Sequence, residues 1–254
     1  MKIVMLGAGN VATHLSIAFY KANVTICQVF SRTLESAESL AKKVNASYTN
    51  DISAIRTDAD VYFYCLKDSV LGEVISRIDA KDAIHIHTSG SVNIDVFEPF
   101  VKQFGVFYPL QTFSKNKTVN FNEIPLFIEG SNEVVESEIL KLANLLSYKV
   151  LKITSEQRIK LHIAAVFSCN FTNYLYTLSS EIVKEADLPF EILIPLITET
   201  ADKIKYLTPF DAQTGPAVRL DMNIISKHLQ LLSDDPDKKL IYEELSRQIY
   251  KKHQ

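Results

Sequence analysis

A predicted long helix in the second half of the chain carries polar side chains at a spacing that suits proton transfer. His162, Asn170 and Asn173 fall within about 80° of arc when each residue advances 100°, at the border of a strongly apolar face. His162 is a candidate proton donor because an unperturbed imidazole titrates near pH 6.5, and Asn170 is a candidate for orienting a substrate. The alternative is that these side chains bridge neighbouring helices, since an unpaired buried amide costs about 1–3 kcal/mol.

Arg219 and Asp221 form a second polar cluster, shortly after the turn at Gly215-Pro216. Together with Asn173, this guanidinium and carboxylate are candidates for substrate binding. The competing interpretation is a surface ion pair that anchors the loop.

The small residues at the start of the chain form a pattern that binds phosphate groups. Lys2–Leu6 predicts a buried strand, and Gly7-x-Gly9-x-x-Ala12 then opens an amphipathic helix. The first glycine permits a tight turn, the second lets a pyrophosphate approach the backbone, and the alanine keeps the helix close to the sheet. The N–H groups and positive dipole end of the helix hold the phosphates. A plain structural turn is the alternative, but the context favours dinucleotide binding. The predicted contacts are Gly7, Ala8, Gly9, Asn10 and Val11.

The end of the second predicted strand, Val24–Phe30, indicates which dinucleotide is bound. NAD-binding domains often carry Asp or Glu here for the ribose 2′-hydroxyl, whereas this chain has Ser31-Arg32-Thr33. A guanidinium flanked by two hydroxyls suits the 2′-phosphate of NADP, which a carboxylate would repel. An exposed loop arginine without a ligand is the alternative interpretation.

Strands and helices alternate from residue 2 to residue 153, which predicts one Rossmann-type domain, residues 1–153, with a doubly wound, mostly parallel α/β sheet. Ligands of such sheets bind beyond the carboxyl ends of strands, so the cofactor should border two further strand ends. The first of these strand ends is formed by Leu66, Lys67 and Asp68, and the second by Thr88, Ser89 and Gly90. The second lies where the nicotinamide is expected, which makes Ser89 a third candidate catalytic residue. A helix is predicted over Asp95–Phe104, and the polar stretch 114–122 is predicted to lie on the surface.

His85 and His87 alternate along a predicted strand and therefore share one face of the sheet. Their spacing suits a metal, but no carboxylate or thiolate stands near them in the sequence. We therefore favour histidines that are hydrogen-bonded near the sheet edge, and we predict no metal.

From Thr154 onward the pattern is helical throughout, which predicts a second domain over residues 154–254. Thr154-Ser-Glu-Gln157 resembles a capping box, and Asp235-Pro236 is a plausible start of the last helix. By analogy at the level of fold, we expect this domain to supply substrate contacts. Its apolar stripes exceed what about a hundred helical residues can cover alone, so we expect a homodimer through it.

The composition excludes several classes of function. With 47% hydrophobic and 22% charged residues the chain is typical of a soluble globular protein, and a net charge of −3 without a basic stripe argues against nucleic acid as a partner. No apolar run approaches the roughly 18 residues of a membrane span. Cys27, Cys65 and Cys169 are too few and too widely spaced for disulfides or zinc, which favours a reducing cytoplasm.

The chain resembles a family that joins a Rossmann domain, akin to pyrroline-5-carboxylate reductase and the deazaflavin-linked NADP oxidoreductases, to a helical domain of unknown function numbered 2520. The motifs that carry this resemblance are Gly7-x-Gly9-x-x-Ala12, Ser31-Arg32-Thr33, His87-Thr-Ser-Gly90, Tyr108-Pro-Leu-Gln-Thr-Phe113, His162 through Asn170, and Thr214-Gly-Pro-Ala-Val-Arg-Leu-Asp221. The resemblance implies NADP binding and dimerisation and leaves the substrate open. Two positions depart from the family pattern, which has His where Tyr108 stands and Gly where Leu220 stands. These departures weaken the case for a catalytic Tyr108 and for tight packing of the last loop.

The sequence therefore predicts an NADPH-dependent oxidoreductase that reduces a small carbonyl or imine compound. Similar architectures use a lysine on the corresponding helix, but the angular position of Lys160 places it away from Asn170 and Asn173. The alternative is a non-catalytic, NADP-binding or redox-sensing dimer. It would be favoured if His162 and Asn170 were fully paired with protein groups and no cavity opened near Ser89. A methyltransferase is disfavoured, because the second strand lacks the acidic residue that binds an adenosine ribose.

Overall fold

The computed structural model describes residues 1–115 and 117–254, and its contacts divide the chain into two compact units. The first unit is Met1–Asn170 and the second is Phe171–Gln254. The stretch 114–122 includes position 116, which lies outside the described residues. Its neighbours Lys115 and Lys117 are exposed.

Over the described residues the first unit contains one sheet of eight strands. They are β1 (Lys2–Leu6), β2 (Thr25–Phe30), β3 (Ser47–Thr49), β4 (Val61–Tyr64), β5 (Ile84–His87), β6 (Phe104–Pro109), β7 (Leu126–Gly130) and β8 (Val150–Lys152). The order across the sheet is β3-β2-β1-β4-β5-β6-β7-β8, and every neighbouring pair is parallel except β6 and β7. This confirms the predicted fold class. The strand order reverses between β1 and β4, so a binding crevice is expected at their carboxyl ends.

Helices cover both faces of the sheet. The four that alternate with strands are α1 (Asn10–Lys21), α2 (Leu34–Val44), α3 (Asp68–Ile75) and α4 (Glu133–Asn144). The core accordingly forms two clusters, one on each face, and β4 contributes Phe63 to one and Tyr62 and Tyr64 to the other. All four residues of β4 are buried, which explains its continuous apolar sequence.

The helix predicted over Asp95–Phe104 is wrong. A single 3₁₀ turn spans Ile94–Phe97, and Phe104 already belongs to β6. Pro99 accounts for the early end, because it has no N–H to donate and its ring clashes with the preceding helical turn. The helical spacing of the apolar residues in this stretch therefore did not indicate an α-helix.

The chain becomes helical at α5 (Ser155–Ala165), which begins with the predicted capping box of Thr154 and Gln157. A π-helical segment, Val166–Phe171, follows directly, and α6 (Thr172–Glu185) comes next. The strands thus end at Lys152, near the predicted domain boundary at 153/154, whereas the division by contacts falls at 170/171. The reason is that α5 is held in the first unit by buried hydrogen bonds that are described below.

The second unit is helical throughout its regular elements. After α6 it contains a 3₁₀ turn at Phe190–Leu193, followed by α7 (Ile194–Lys203), α8 (Met222–Leu231) and α9 (Pro236–Lys252). The Asp235 side chain accepts a hydrogen bond from the Lys238 N–H at 3.0 Å, as predicted for an N-cap. Within the part of this unit that the structure describes, Ala217 and Ile225 are the buried hydrophobic residues, and most of its larger apolar side chains are exposed.

No helix among the described residues is both long and apolar enough to cross a membrane.

Candidate functional site

Gly7 makes the turn between β1 and α1, and its conformation is open only to glycine. Its φ is +121°, and a Cβ here would lie 2.3 Å from the carbonyl oxygen of Cys65 on the neighbouring chain segment. Its N–H donates to the Phe30 carbonyl at 2.8 Å, and the Cys65 N–H donates to the Leu6 carbonyl at 2.8 Å, so the turn is fixed from both adjacent strands. The first glycine of the motif therefore has the role that its position predicts.

Gly9 has the opposite environment, since a Cβ built there has no atom within 4 Å. Gly9 is the N-cap of α1, and no side chain caps the first turn. The start of α1 is therefore uncapped and has open space beside Gly9, and an uncapped helix start with room beside it suits a phosphate. Asn10 contributes its backbone in the same way, but its side-chain amide donates to the Phe113 carbonyl at 2.7 Å. Val11 follows on the helix and is half-buried.

A cavity of about 680 Å³ opens beside this turn. The predicted cofactor residues that line it are Gly7, Ala8, Gly9, Ser31, Arg32, Thr33, Leu66 and Lys67. Arg32 is exposed, and the Thr33 hydroxyl donates to the Ser36 hydroxyl at 2.8 Å. Ser31, Arg32 and Thr33 thus lie along the wall of the cavity that the phosphate-binding turn also lines, as the NADP interpretation requires.

The sequence analysis did not predict one wall of the cavity. This wall is formed by one face of α3 and by Arg77, two residues after the helix ends. Val70, Glu73, Val74 and Arg77 line the cavity at spacings of three or four residues. This helical periodicity was present in the sequence and could have predicted the surface. Asp51 also lines the cavity, and hydrogen bonds from Ser53 lower the pKa of its carboxyl group.

The second predicted cofactor segment, at the end of β5, is held by its own hydrogen bonds. The Ser89 hydroxyl accepts from the N–H groups of Ser91 and Val92, both at 3.1 Å. Ser91 in turn donates to a carboxylate oxygen of Asp68 at 2.5 Å, which joins this segment to the first turn of α3. Thr88 is half-buried, and its N–H donates to the carbonyl of Tyr64. The Ser89 oxygen therefore orders the loop. Its own hydroxyl lies 3.3 Å from that of Ser91 and donates to it, because Ser91 gives its proton to Asp68.

His162 lies directly against this loop. A Cβ on Gly90 would come within 2.5 Å of His162 Nδ1, so the imidazole occupies the space that any larger residue at position 90 would fill. The hydroxyl of Tyr108, on β6, lies 3.1 Å from the same Nδ1 atom. The structure thus joins His162, the Ser89 loop and Tyr108, whose hydroxyl the sequence interpretation had not connected to His162.

A buried ion pair fixes α5 beneath His162. Arg158 is fully buried, and its guanidinium donates to Glu129, to the Val92 carbonyl and to the Ser155 hydroxyl. Ser155 also donates to Glu129 through its N–H at 2.8 Å and through its hydroxyl at 2.7 Å. One turn of α5 is therefore tied both to the end of β7 and to the loop after β5. Lys160 is excluded from this network, since it pairs with Glu156 at 2.7 Å on the exposed surface.

The two strand histidines share one face, as predicted, and both are buried. His85 contacts the Tyr64 hydroxyl at 2.8 Å through Nδ1 and the Ala80 carbonyl at 2.9 Å through Nε2. Burial, with a further contribution from the Arg158 charge, lowers the pKa of His87 to about 3, so this ring is neutral. Across residues 1–115 and 117–254, no group of three or more potential ligands could hold a metal ion.

The remaining candidates differ in their surroundings. Asn170 and Asn173 are exposed, and neither side chain has a hydrogen-bond partner within the described residues.

The Asp221 side chain accepts from the Ile224 N–H at 3.4 Å and caps α8. Arg219 is exposed and has no ion-pair partner in the described chain, so the ion pair considered for this cluster does not form within one chain. Leu220, between them, has φ +52°, which explains why glycine suits this position.

The fold and the phosphate-binding turn define a Rossmann-type dinucleotide-binding protein with an added helical region. Residues 2–90 match the family described as NADP oxidoreductase, coenzyme F420-dependent, and residues 124–249 match the domain of unknown function DUF2520. The chain is 47% identical to the putative NADP oxidoreductase BF3122 from Bacteroides fragilis, with a TM-score of 0.95 and 98% of each chain covered. The protein therefore belongs to the DUF2520 family, and the resemblance noted in its sequence is confirmed. No curated protein matches the chain.

More distant solved structures share the fold. A reductive aminase from Aspergillus terreus, in complex with NADPH and ethyl-5-oxohexanoate, is 13% identical, with a TM-score of 0.75 over 99% of this chain and 94% of the other. The 1-pyrroline-5-carboxylate reductase of Streptococcus pyogenes is also 13% identical, with a TM-score of 0.62 over 99% and 98%. At this identity the likeness establishes the architecture alone.

Proposed function

We propose that this protein is an NADPH-dependent oxidoreductase that reduces a small carbonyl or imine compound. The observation that carries the proposal is the position of His162 against Gly90, at the end of β5 where a nicotinamide is expected. This contact puts a candidate proton donor beside the predicted cofactor site. The complexes of similar fold with NADPH and a keto ester support the same reaction class.

The cavity fits a dinucleotide in two respects. The open space at Gly9 leaves room for a pyrophosphate against the uncapped start of α1, and Arg32 lies on the cavity wall for a 2′-phosphate. Leu66, Lys67 and Asp68 would border the bound cofactor, with Thr88, Ser89 and Gly90 nearer the nicotinamide. When bound, NADPH supplies the hydride.

Cofactor choice tests this assignment directly. NADPH should bind at least about tenfold tighter than NADH, a difference of ~1.4 kcal/mol. Arg32→Ala should remove most of this preference and leave NADH binding nearly unchanged. Arg247→Ala is a suitable control, because its ion pair among the described residues is with Glu244 on exposed α9. Equal affinities of the unmodified protein for the two cofactors, measured by calorimetry, would refute the NADP assignment.

His162 is the proposed proton donor, because negative charge builds on the substrate oxygen or nitrogen as the hydride arrives. Asn170 would orient the substrate, and Ser89 or a bound water is the alternative source of the proton. General acid catalysis typically contributes about 10²–10⁴-fold, so His162→Ala should lower turnover by such a factor. NADPH affinity should stay within about threefold. Asn170→Ala should change both turnover and apparent substrate affinity, because it removes alignment.

This test requires a substrate, which a screen of small keto acids and cyclic imines for NADPH oxidation would supply. Full activity of His162→Ala on such a substrate would exclude His162 as the donor. Asn173, Arg219 and Asp221 are proposed as substrate contacts. Their alanine variants should raise KM more than they lower kcat if they bind substrate and transition state equally.

We also propose that the protein is a homodimer through its helical region. The exposed large apolar side chains of this region support the proposal, since exposed apolar patches mark interaction surfaces. Examples that are at least half exposed are Phe171, Leu196, Tyr206, Phe210 and Leu231. Light scattering should give the dimer mass, and a monomer across micromolar concentrations would contradict it. The three unpaired cysteines support a cytoplasmic location.

The non-catalytic sensor is the weaker alternative. Its first condition, full pairing of His162 and Asn170, is not met, because within the described chain His162 Nε2 and the Asn170 amide have no hydrogen-bond partner. Its second condition concerns a cavity near Ser89, and Ser89 is not among the residues that line the 680 Å³ cavity. A broad screen in which NADPH binds tightly but no compound is reduced would reverse this preference.

A further inference from the structure

Tyr108 has a buried ring whose hydroxyl reaches the candidate proton donor. Its side chain lies at the carboxyl end of β6, is 8% exposed, and packs near Phe127 with ring centroids 6.4 Å apart. The hydroxyl lies 3.1 Å from His162 Nδ1, and the two rings meet edge to face at 6.1 Å. A buried phenol needs a hydrogen-bond partner, and in this structure the partner is the imidazole.

The Nδ1 edge of His162 is confined from two directions. Gly90 lies so close that a methyl group there would overlap Nδ1, and Tyr108 holds the same atom by its hydroxyl. Nε2 is on the opposite side of the ring and has no hydrogen-bond partner among the described residues. The contacts thus occupy one nitrogen and leave the other for a ligand.

We propose that Tyr108 is a positioning residue that keeps His162 Nε2 directed at the substrate, an inference that rests on the proposed function. In the neutral imidazole the phenol donates to Nδ1, so the ring proton is carried on Nε2. In the imidazolium form Nδ1–H donates to the phenol oxygen, and Nε2–H remains the proton to be transferred. The Nε2–H bond then breaks as the new bond to the substrate oxygen or nitrogen forms. Immediately after the transfer the neutral ring carries its proton on Nδ1, donated to the phenol oxygen, until solvent returns a proton to Nε2 and restores the imidazolium.

The surroundings of Tyr108 favour positioning over direct proton donation. Burial raises the pKa of the Tyr108 phenol, which keeps it protonated at neutral pH and makes it a poor acid. Because its hydroxyl can rotate to donate or accept, it serves both protonation states of His162.

Nitrogen-15 NMR of the imidazole side chains tests this without any substrate. In the unmodified protein, neutral His162 should show one tautomer with its proton on Nε2 and a hydrogen-bonded Nδ1. In Tyr108→Phe the Nδ1 resonance should move to the position of a nitrogen without a hydrogen bond. Tyr64→Phe is the matched control, because it removes a similar bond, from the Tyr64 hydroxyl to His85 Nδ1. It should shift the His85 resonances and leave those of His162 in place. Unchanged His162 resonances in Tyr108→Phe would overturn the proposal.

Turnover provides the second readout once a substrate is in hand. Loss of one neutral hydrogen bond should lower kcat by about three- to tenfold in Tyr108→Phe, with NADPH affinity unchanged. In a His162→Ala background the same substitution should have no further effect, because Tyr108 acts through His162. A full, additive loss in that background would overturn the positioning role. Failure of NADPH to bind would instead reject the proposed function, and the NMR result would still decide the role of Tyr108.

Discussion

Two glycines of one motif should respond to the same substitution in different ways. Alanine at Gly7 would force φ +121° on a residue with a side chain and bring its Cβ within 2.3 Å of a backbone carbonyl oxygen. Alanine at Gly9 would keep φ −77° and ψ −169°, in a space with no atom within 4 Å. Gly7→Ala should therefore destabilise the fold, whereas Gly9→Ala should impair only phosphate binding.

The magnitudes follow from the geometry. For Gly7→Ala, about 1–3 kcal/mol of backbone strain adds to about 1–3 kcal/mol of overlap, because a carbonyl in a strand connection cannot swing away. For Gly9→Ala, the free energy of unfolding should change by less than about 1 kcal/mol. Its methyl group should separate a phosphate from the helix N–H groups. Loss of one charge-assisted hydrogen bond predicts about ten- to hundredfold weaker NADPH binding.

Urea unfolding and calorimetry with NADPH, applied to both variants, separate the two effects. If Gly9→Ala binds NADPH within about threefold of the unmodified protein, the start of α1 does not hold the phosphates as inferred. If Gly7→Ala unfolds at the same urea concentration as the unmodified protein, the turn after β1 does not require glycine.

Three further predictions concern stability and are measured by urea unfolding. Glu129→Ala should lower the free energy of unfolding by about 3–5 kcal/mol, because it leaves the buried charge of Arg158 without a partner. Glu156→Ala is the control: it removes an exposed ion pair with Lys160 and should change the free energy of unfolding by less than about 1 kcal/mol. An equal effect of the two substitutions would show that burial of the ion pair is not what makes Glu129 important. The folded-state pKa of His87, about 3, is below the unfolded value near 6.5, so the unfolded chain binds more protons and stability falls as the pH drops below 6.5. By pH 5 this costs about 2 kcal/mol, and a His87→Asn variant that keeps the full pH dependence would argue against it. At Leu220, with φ +52°, a glycine variant should be about 1 kcal/mol more stable than an alanine variant, and the reverse order would exclude backbone strain there.

The fold was largely predictable because its signals are local. The central strands are short apolar runs, and the positive φ of Gly7 in the turn after β1 is a local reason for glycine. The phosphate contact of Arg32 was predicted from its place after β2 and its charge. Arg32 does line the cavity, and the contact itself stays a prediction. The prediction of a helix over Asp95–Phe104 was wrong because it relied on the helical spacing of a few apolar residues. Pro99, which ends a helix, should have decided against it.

The site was less predictable because its contacts are distant in the sequence. Tyr108 and His162 are separated by 54 residues, and their hydrogen bond depends on how α5 is fixed to the sheet. That attachment is made by Arg158 and Glu129, which have no signature beyond their charge. Because the family pattern has histidine at position 108, the sequence argued against a catalytic role for Tyr108. Only the folded chain shows that its hydroxyl meets the imidazole.

The π-helical segment explains why the stripe from His162 to Asn170 could not be read from the sequence. The predicted stripe assumed 100° per residue, but Val166–Phe171 forms i to i+5 hydrogen bonds, and each residue there turns through a smaller angle. Asn170 therefore lags behind the predicted angle, and its proposed role can no longer rest on sharing a face with His162. A π segment gives up the better hydrogen-bond geometry of an α-helix, and such segments occur frequently at functional sites. The segment follows directly after the helix that carries His162, and this position supports the proposal that the surface around Asn170 binds the substrate.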